Sequence, residues 1–318
     1  MPPEITVGLF EEYCRRFCNW GRWGPDDELG CLNYITPEKI KRAAGLVRQG
    51  KVFSCSIPVD ANGPQFGLRG RVNPLHLMLA TGSDHQLDVQ IKRPLGFGYA
   101  DDGLYIPCQS GTQWDGLGHV FRHGKMWNGY EAGLVTTTGA QKNGIEHFRD
   151  RIVSRGVLLD IPRLHSKEWL EPGYAIEADE LEAAAARQGV AVEEGDIVLL
   201  RTGDTGRCIK QKSWSGYAAG DAPGLSLTAA PWLYEKRIAG IASDTWGVEV
   251  RPNQIEDSYQ PLHMIMIPNM GLLVGEILDL EPLADGCAAD GVYEFLFVAP
   301  PLSITGGVGS PVNPLAIK

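Results

Sequence analysis

The chain lacks the short motifs that mark the commonest nucleotide-binding and hydrolytic sites. Its 318 residues contain no Walker-type Gly-x4-Gly-Lys-Ser/Thr, no Gly-x-Gly-x-x-Gly opening a helix, no Gly-x-Ser-x-Gly elbow and no Cys-x2-Cys pair. These absences argue against nucleotide binding and against serine hydrolysis.

Long apolar runs and basic stretches are missing as well. The longest mostly apolar stretch, residues 264–274, contains Pro268, Asn269 and Gly271 and is far shorter than the roughly 20 residues needed to cross a bilayer. The beginning of the chain has no uninterrupted apolar segment, so no secretory signal is expected. The net charge is -10 and no stretch is dense in Lys or Arg, so the sequence predicts no basic surface that could bind the phosphates of a nucleic acid. We therefore expect a cytoplasmic protein without a membrane or nucleic-acid partner.

The seven cysteines are an odd number and are scattered along the chain. We therefore expect no disulfide framework, and the pattern fits a reducing compartment. No internal repeat, low-complexity tract or charge block marks a boundary. We predict a single α/β domain over residues 1–318, in which an N-terminal arm and helix, about residues 1–50, pack on the core or on a neighbouring subunit.

Helix and strand patterns alternate along the chain. A helix is predicted from Pro37 to Arg48 and another from Asp179 to Gln188, where Gly189 suits the residue after the last turn. Three continuous apolar runs predict strands buried on both faces: residues 156–161, 196–202 and 238–243.

Polar side chains recur at odd positions in one stretch that is rich in glycine. They are Gln109, Gln113, Asp115 and His119. If the first part is an extended strand, Gln109, Gln113 and Asp115 project from one face, because strand side chains alternate. The glycines between Asp115 and His119 allow a bend that returns the imidazole toward the carboxylate. The stretch predicts one wall of a polar pocket, with a solvated strand face as the alternative.

A second pair of polar residues, His263 and Glu276, lies in apolar surroundings. Burying such groups is costly unless they are paired or bind a metal. A hydrogen-bonded structural histidine is the alternative interpretation.

The polar stretch resembles a family motif. Gln109-x3-Gln113-x-Asp115-x3-His119 is similar to the His-x-Gly-Thr-His-x-Asp-x-Pro-x-His motif of the cyclase family of metal-dependent hydrolases, which includes kynurenine formamidase and isatin hydrolase. The glutamines are similar to those of the trans-dienelactone hydrolase branch. Five other stretches support the resemblance: residues 23–30, 32–38, 155–160, 195–203 and 223–225.

The resemblance implies a metal site. Its ligands would be Asp115, His263 and Glu276, with Gln109 and Gln113 either ligating the ion or orienting water and substrate. Both motif histidines are glutamines here, and an amide oxygen is a harder and weaker ligand than an imidazole nitrogen. The site therefore favours oxygen-preferring ions more than the family motif does, and Mn²⁺ becomes as suitable as Zn²⁺. Two carboxylates balance one dication, so we expect one ion, with a binuclear site as the alternative.

The resemblance also implies a fold, a reaction and an assembly. The fold is a swivelling β/β/α-type α/β domain around a partly closed sheet, and members are usually homo-oligomers, here a dimer or tetramer. The reaction is hydrolysis of a small cyclic amide or lactone by metal-activated water, with His119 as general acid–base and Asp115 able to share the base role. The alternatives are a polyketide-type cyclase or dehydratase, and a silent binding protein.

Two aromatic residues are assigned to the substrate by the same resemblance. Trp23 lies in a loop-like Gly-Pro context, and Trp246 belongs to the stretch 243–249 that follows an apolar strand. Core packing is the alternative for each tryptophan, and a turn-forming role is the alternative for residues 243–249.

Overall fold

Apolar strands and amphipathic helices alternate along the chain. We describe residues 3–318 of it from a computed structural model. Within that range the strands are β1 Val52–Ser54, β2 Leu75–Ala80, β3 Asp101–Tyr105, β4 Gln113–Asp115, β5 Val135–Thr136, β6 Gly139–Ala140, β7 Val153–Asp160, β8 Ala175–Ile176, β9 Ile197–Arg201, β10 Gly224–Leu225, β11 Gly240–Ser243, β12 Leu273–Glu276, β13 Glu294–Val298, β14 Gly309–Pro311 and β15 Leu315–Ile317. The α-helices of the same range are α1 Val7–Arg16, α2 Pro37–Ala44, α3 Gly82–Gln86, α4 Ile161–Leu164, α5 Ala178–Gln188, α6 Asp204–Gln211, α7 Ala230–Glu235, α8 Pro261–Ile265 and α9 Glu281–Asp290.

Nine strands form one curled sheet, a half-barrel, in the order β1-β15-β13-β7-β9-β11-β12-β4-β14. The four central strands β7, β9, β11 and β12 are parallel neighbours, and the pairs outside them are antiparallel. The sheet therefore joins strands from residue 52 to residue 317. The predicted α/β class is confirmed.

The predicted elements lie close to their predicted positions. The strands predicted at 156–161, 196–202 and 238–243 are β7, β9 and β11, and β9 and β11 are buried along their whole length. The helix predicted to continue to Arg48 ends earlier, at Ala44, because Gly45 follows and its N–H closes the last turn. Helix α5 ends as predicted at Gly189, whose φ of 64° is left-handed.

The helices cover the sheet and bury the beginning of the chain. Helices α2 and α5 pack against β7. Helix α1 packs against α8 and buries Phe10 and Tyr13, so these N-terminal residues lie on the core of their own chain. All seven cysteines are free thiols. Between residues 3 and 318, no helix is both long and apolar enough to span a membrane.

Candidate metal centre

Two antiparallel neighbours, β4 and β12, place three polar side chains on one face of the sheet. Glu276 lies directly opposite Gln113, and Asp115 is two residues further along the same strand. Because side chains alternate along a strand, these three share a face. Trp114 points to the other face, where its Nε1 donates to the carbonyl of Ala299 at 2.8 Å.

Helix α8 brings a histidine to that face. One ligand atom each of Asp115, His263 and Glu276 lies within 4.8 Å of the others. His263 Nε2 is 3.1 Å from Glu276 Oε1. The three residues are at most 3% exposed. The chain passes from α8 through a π-helical turn over Met266–Met270 into β12, and this path brings His263 next to Glu276.

Glu249 holds the histidine in place. Its carboxylate accepts hydrogen bonds from the backbone N–H groups of Leu262 and His263, at 3.0 and 2.9 Å, at the beginning of α8. It also lies 2.5 Å from His263 Nδ1. With Nδ1 engaged by Glu249, the ring directs Nε2 toward Glu276 and Asp115.

The two glutamines reach the site by different routes. Gln113 donates from Nε2 to Glu276 Oε2 at 2.7 Å. Gln109 is not on the strand, which begins only at Gln113, so the predicted continuous strand face is wrong for this residue. It lies in a turn. Its amide packs against Gly309, where an added Cβ would lie 2.3 Å from Gln109 Nε2. Because Gly309 pairs with Asp115 across neighbouring strands, the amide of Gln109 lies on the Asp115 side of the site. The missing side chain at Gly309 leaves the space that the amide fills.

A bend after β4 returns His119 to the carboxylate. The N–H of His119 donates to the carbonyl of Gly116 at 3.0 Å. His119 Nε2 then lies 3.8 Å from Asp115 Oδ1, and the histidine side chain is 21% exposed. His119 is therefore accessible to a substrate, whereas His263 is buried.

Burial and charge set the protonation of the site. Burial lowers the pKa of His119. The negative charge of Asp115 opposes this shift, whereas the positive charges of Arg71 and His263 add to it. Burial also disfavours the cation of His263, but its contacts with Glu249 and Glu276 outweigh this and raise its pKa to about 10. Burial, then repulsion by Asp115, raises the pKa of Glu276 to about 7. The pocket thus has more negative charge than it can hold without protons or a cation.

Unpaired polar atoms test whether a metal fits. In the part of the chain that the structure describes, Asp115 Oδ1, Gln113 Oε1 and Gln109 Nε2 are buried without a hydrogen-bond partner. Native structures leave few such atoms unsatisfied, because each costs about 1–3 kcal/mol. Two of the three are oxygens beside a histidine and a second carboxylate, a donor set that suits Zn²⁺ or Mn²⁺. The residues present fit one divalent ion.

The two tryptophans assigned to the substrate lie in different surroundings. Trp246 is buried with the guanidinium groups of Arg71 and Arg251 at 5.4 and 5.6 Å from its ring. Trp23 packs in an aromatic group, with its ring 5.1 Å from Tyr34 and 6.0 Å from Trp127. Packing accounts for Trp23, and its contact with substrate stays a prediction.

Two residues near the site were not assigned from the sequence. Glu249 could have been found, because an acidic residue between Val248 and Val250 needs a buried partner. Arg71 gave no comparable signal, since it reaches the site from a distant loop. Nearby Asp244 has a structural role: it accepts hydrogen bonds from the N–H and the hydroxyl of Thr202 at 2.8 and 2.7 Å.

Comparison with known proteins identifies the family. The sequence profile of the family described as "Cyclase" matches residues 53–250. The crystal structure of a protein described as a novel cyclase is 38% identical, covers 96% of this chain and 99% of its own, and superposes with a TM-score of 0.87. The chain belongs to the cyclase family.

More distant structures share the cyclase fold. Isatin hydrolase A from Ralstonia solanacearum is 18% identical over 87% of this chain and 95% of its own, with a TM-score of 0.61. An isatin hydrolase bound to the product analogue thioisatinate is 18% identical over 89% of this chain and 98% of its own, with a TM-score of 0.60. No curated protein sequence matches the chain. The cyclase-family fold expected from the motif is confirmed.

Proposed function

We propose that this cyclase-family protein is a divalent-metal-dependent hydrolase that opens a small cyclic amide or lactone. The observation that carries the proposal is the buried group of Asp115, His263 and Glu276, within 4.8 Å of one another and next to a partly exposed His119. The isatin hydrolases that share the fold, one of them with a product analogue bound, supply the substrate class by analogy.

One ion, Mn²⁺ or Zn²⁺, would be held by Asp115, His263 and Glu276. When bound, such an ion supplies a water of lowered pKa and polarises a substrate carbonyl. Gln113 fixes one oxygen of Glu276 and keeps its own Oε1 free to ligate or to orient water. Gln109 presents its amide from the adjacent turn.

His119 would move the proton. Its lowered pKa keeps the imidazole neutral near pH 7, so its Nε2 can accept a proton from the attacking water. The same nitrogen then donates to the leaving nitrogen or alkoxide. Asp115 Oδ1, 3.8 Å away, can share the base role and steady the imidazolium that forms.

Arg71 would balance the charge of the product, because opening a cyclic amide or lactone creates a carboxylate. Within the described residues, the Arg71 guanidinium forms no ion pair with a carboxylate, and it lies over the ring of Trp246. A cation that is free of acidic partners and close to His119 and Glu276 suits that new negative charge.

Turnover and product mass test the proposal. Protein loaded with Mn²⁺ or Zn²⁺ is incubated with a panel of cyclic amides and lactones, and products are weighed by mass spectrometry. We expect a gain of one water. His119→Gln should lower kcat by about 10²–10⁴-fold with metal content unchanged, whereas His147→Gln, an exposed histidine elsewhere, should not. A product that has lost water would instead indicate a cyclase or dehydratase, and binding without turnover would indicate a binding protein.

A further inference from the structure

Three arginines and two aromatic rings lie in a row beside the candidate metal centre. The guanidinium carbon of Arg71 lies 5.4 Å from the ring centre of Trp246, and that of Arg251 lies 5.6 Å from the same ring. Arg251 also lies 5.5 Å from the ring of Tyr259, over which Arg69 lies at 4.4 Å. We call these five residues the arginine row. Each of its cations lies within the range at which an aromatic ring attracts positive charge.

The row carries positive charge that no carboxylate balances at close range. Within residues 3–318, none of its three guanidinium groups has a carboxylate oxygen within 4.0 Å. By contrast, Arg155, Arg201 and Arg207 each form an ion pair, at 2.9, 2.8 and 2.6 Å. The chain has 39 acidic and only 29 basic residues, so carboxylates are plentiful. Three neighbouring arginines without an acidic partner therefore indicate that their charge serves another purpose.

Two buried donors in the row lack an acceptor. In the described part of the chain, Trp246 Nε1 and Arg251 Nη1 are buried and form no hydrogen bond. Trp246 is only 4% exposed. Arg251 Nη2 donates to the carbonyl of Ala219 at 3.1 Å, which holds the guanidinium group in place. Native proteins leave few buried polar atoms unsatisfied, so buried donors beside unbalanced positive charge indicate a ligand that brings negatively charged oxygen.

One loop holds both the row and the metal-ligating group. Trp246 packs in one apolar cluster with Ile277, the residue directly after Glu276. Glu249, which holds the metal-ligating histidine, lies between Trp246 and Arg251 in the sequence. A ligand bound by the row would therefore lie beside the residues proposed to hold the ion.

The other arginines reach the centre from a second loop. Arg71 is the member of the row whose positive charge lowers the pKa of both His119 and Glu276. The buried Gln65 of the same loop donates to the carbonyl of Ser110 at 3.0 Å, which ties this loop to the turn before β4. The row thus extends from the reacting centre toward Arg251 and Arg69.

We propose that the arginine row binds an anionic oxygen group, a carboxylate or a phosphate, that the substrate carries in addition to the ring bond that is opened. The inference rests on the proposed hydrolase function and narrows its substrates to charged cyclic amides and lactones. Arg71 serves the carboxylate that ring opening creates, whereas Arg251 and Arg69 hold the permanent anionic group. A guanidinium group suits both kinds of anion, because it offers parallel N–H donors to two oxygens.

Calorimetric titration tests the subsite without turnover. Metal-loaded protein is titrated with benzoate, with phenyl phosphate and with benzamide, a neutral molecule of the same shape as benzoate. We expect an anion to bind at least about tenfold more tightly than benzamide, and Arg251→Met to weaken that binding by about 10–100-fold. The tighter of the two anions identifies the group. The control is Arg48→Met, which removes an exposed arginine without a carboxylate partner in the described chain and should keep the wild-type affinity.

Two results of the titration would overturn the proposal. One is an affinity for benzamide equal to that for both anions. The other is an equal anion affinity in Arg251→Met and the wild type. Asp115→Ala identifies where the anion then binds, since an affinity lost in that variant but kept in Arg251→Met would place the anion on the metal ion.

Chemical modification of the wild type gives an answer even if Arg251→Met fails to fold. Phenylglyoxal reacts with accessible guanidinium groups, and peptide mass spectrometry measures the rate at each arginine. Benzoate or phenyl phosphate should slow the reaction at Arg69 and Arg71 several-fold and leave the rate at Arg48 unchanged. Equal rates at Arg69 and Arg71 with and without both anions would overturn the subsite.

Hydrolysis is measured separately, so that the two proposals can fail independently. A lactone that bears a carboxylate is compared with its neutral carboxamide. We expect Arg251→Met to raise KM for the charged lactone about 10–100-fold while kcat changes little. Protein that binds an anion through the row but opens neither lactone would support the subsite and contradict the hydrolase function. Protein that opens both lactones with equal KM would contradict the subsite alone.

Discussion

Glu249 Oε1 lies 2.5 Å from His263 Nδ1, on the far side of the ring from Asp115 and Glu276. The same carboxylate also accepts the two backbone N–H groups at the beginning of α8. One acidic residue therefore fixes both the helix and the ring that the helix carries. Partners of this kind typically change metal affinity by about 10–100-fold when they are removed.

Glu249→Gln should weaken metal binding by about 10–100-fold. The amide oxygen can still accept hydrogen bonds, but the charge that raises the pKa of His263 is lost, so the ring becomes a weaker ligand. Competition with a chromogenic chelator measures the affinity. The matched control is Glu180→Gln, since Glu180 contacts the ring of His165 at 2.7 Å outside the site. Equal metal affinity in both variants would show that Glu249 acts only on the helix.

Gly309 leaves room for the side chain of Gln109, so a larger residue at position 309 should displace that side chain. Gly309→Ala places a Cβ 2.3 Å from Gln109 Nε2 and 2.9 Å from the carbonyl oxygen of Trp114, so Gln109 must move. We expect Gly309→Ala and Gln109→Ala to lower kcat/KM to a similar extent, and the double variant to lose little more. Gly111→Ala is the control, because its Cβ would meet only Ile57, at 4.0 Å. Additive losses in the double variant would show that the two residues act independently, and would contradict this prediction.

Buried thiols should make the protein lose stability at alkaline pH. Burial raises the pKa of Cys31 to about 12 and that of Cys14 and Cys208 to about 11, from an ordinary value of 9.0. Above pH 9 the unfolded chain loses these protons while the folded chain keeps them, so the free energy of unfolding falls as pH rises. Below pH 9 their contribution is complete.

The expected loss is about 1.4 kcal/mol per pH unit for each such thiol. Urea unfolding at pH 8 and pH 10 measures it, and Cys31→Ala should show a shallower fall than the wild type. An unfolding free energy that is equal at the two pH values would mean that the thiols are not held as the structure places them.

The central strands and the polar positions could be predicted because each has a local signal. The leucine- and valine-rich runs of β7 and β9 are typical of strands covered on both faces. Gln113, Asp115 and His119 lie within seven residues, so a short strand and a bend are enough to bring them together.

What could not be predicted depends on contacts between distant parts of the chain. Gln109 looked like part of a strand because its spacing to Gln113 is even. It lies instead in a turn closed by the hydrogen bond from the Ser110 N–H to the Pro107 carbonyl, and its amide packs against Gly309, 200 positions later. Arg71 lies in the loop just before β2, and no local pattern relates it to Trp246. The apolar surroundings of His263 and Glu276 and the family motif both pointed to this pair, but the contact itself needs the turn between α8 and β12, which no local pattern gives.

Metal content measured on the purified protein tests the central claim most directly. Protein prepared without chelator is analysed by elemental mass spectrometry, together with Asp115→Ala, His263→Ala and the control His147→Gln. We expect about one equivalent of Mn²⁺ or Zn²⁺ per chain in the wild type and the control, and its loss in both site variants. A wild type that stays metal-free after incubation with both ions would contradict the proposed metal site.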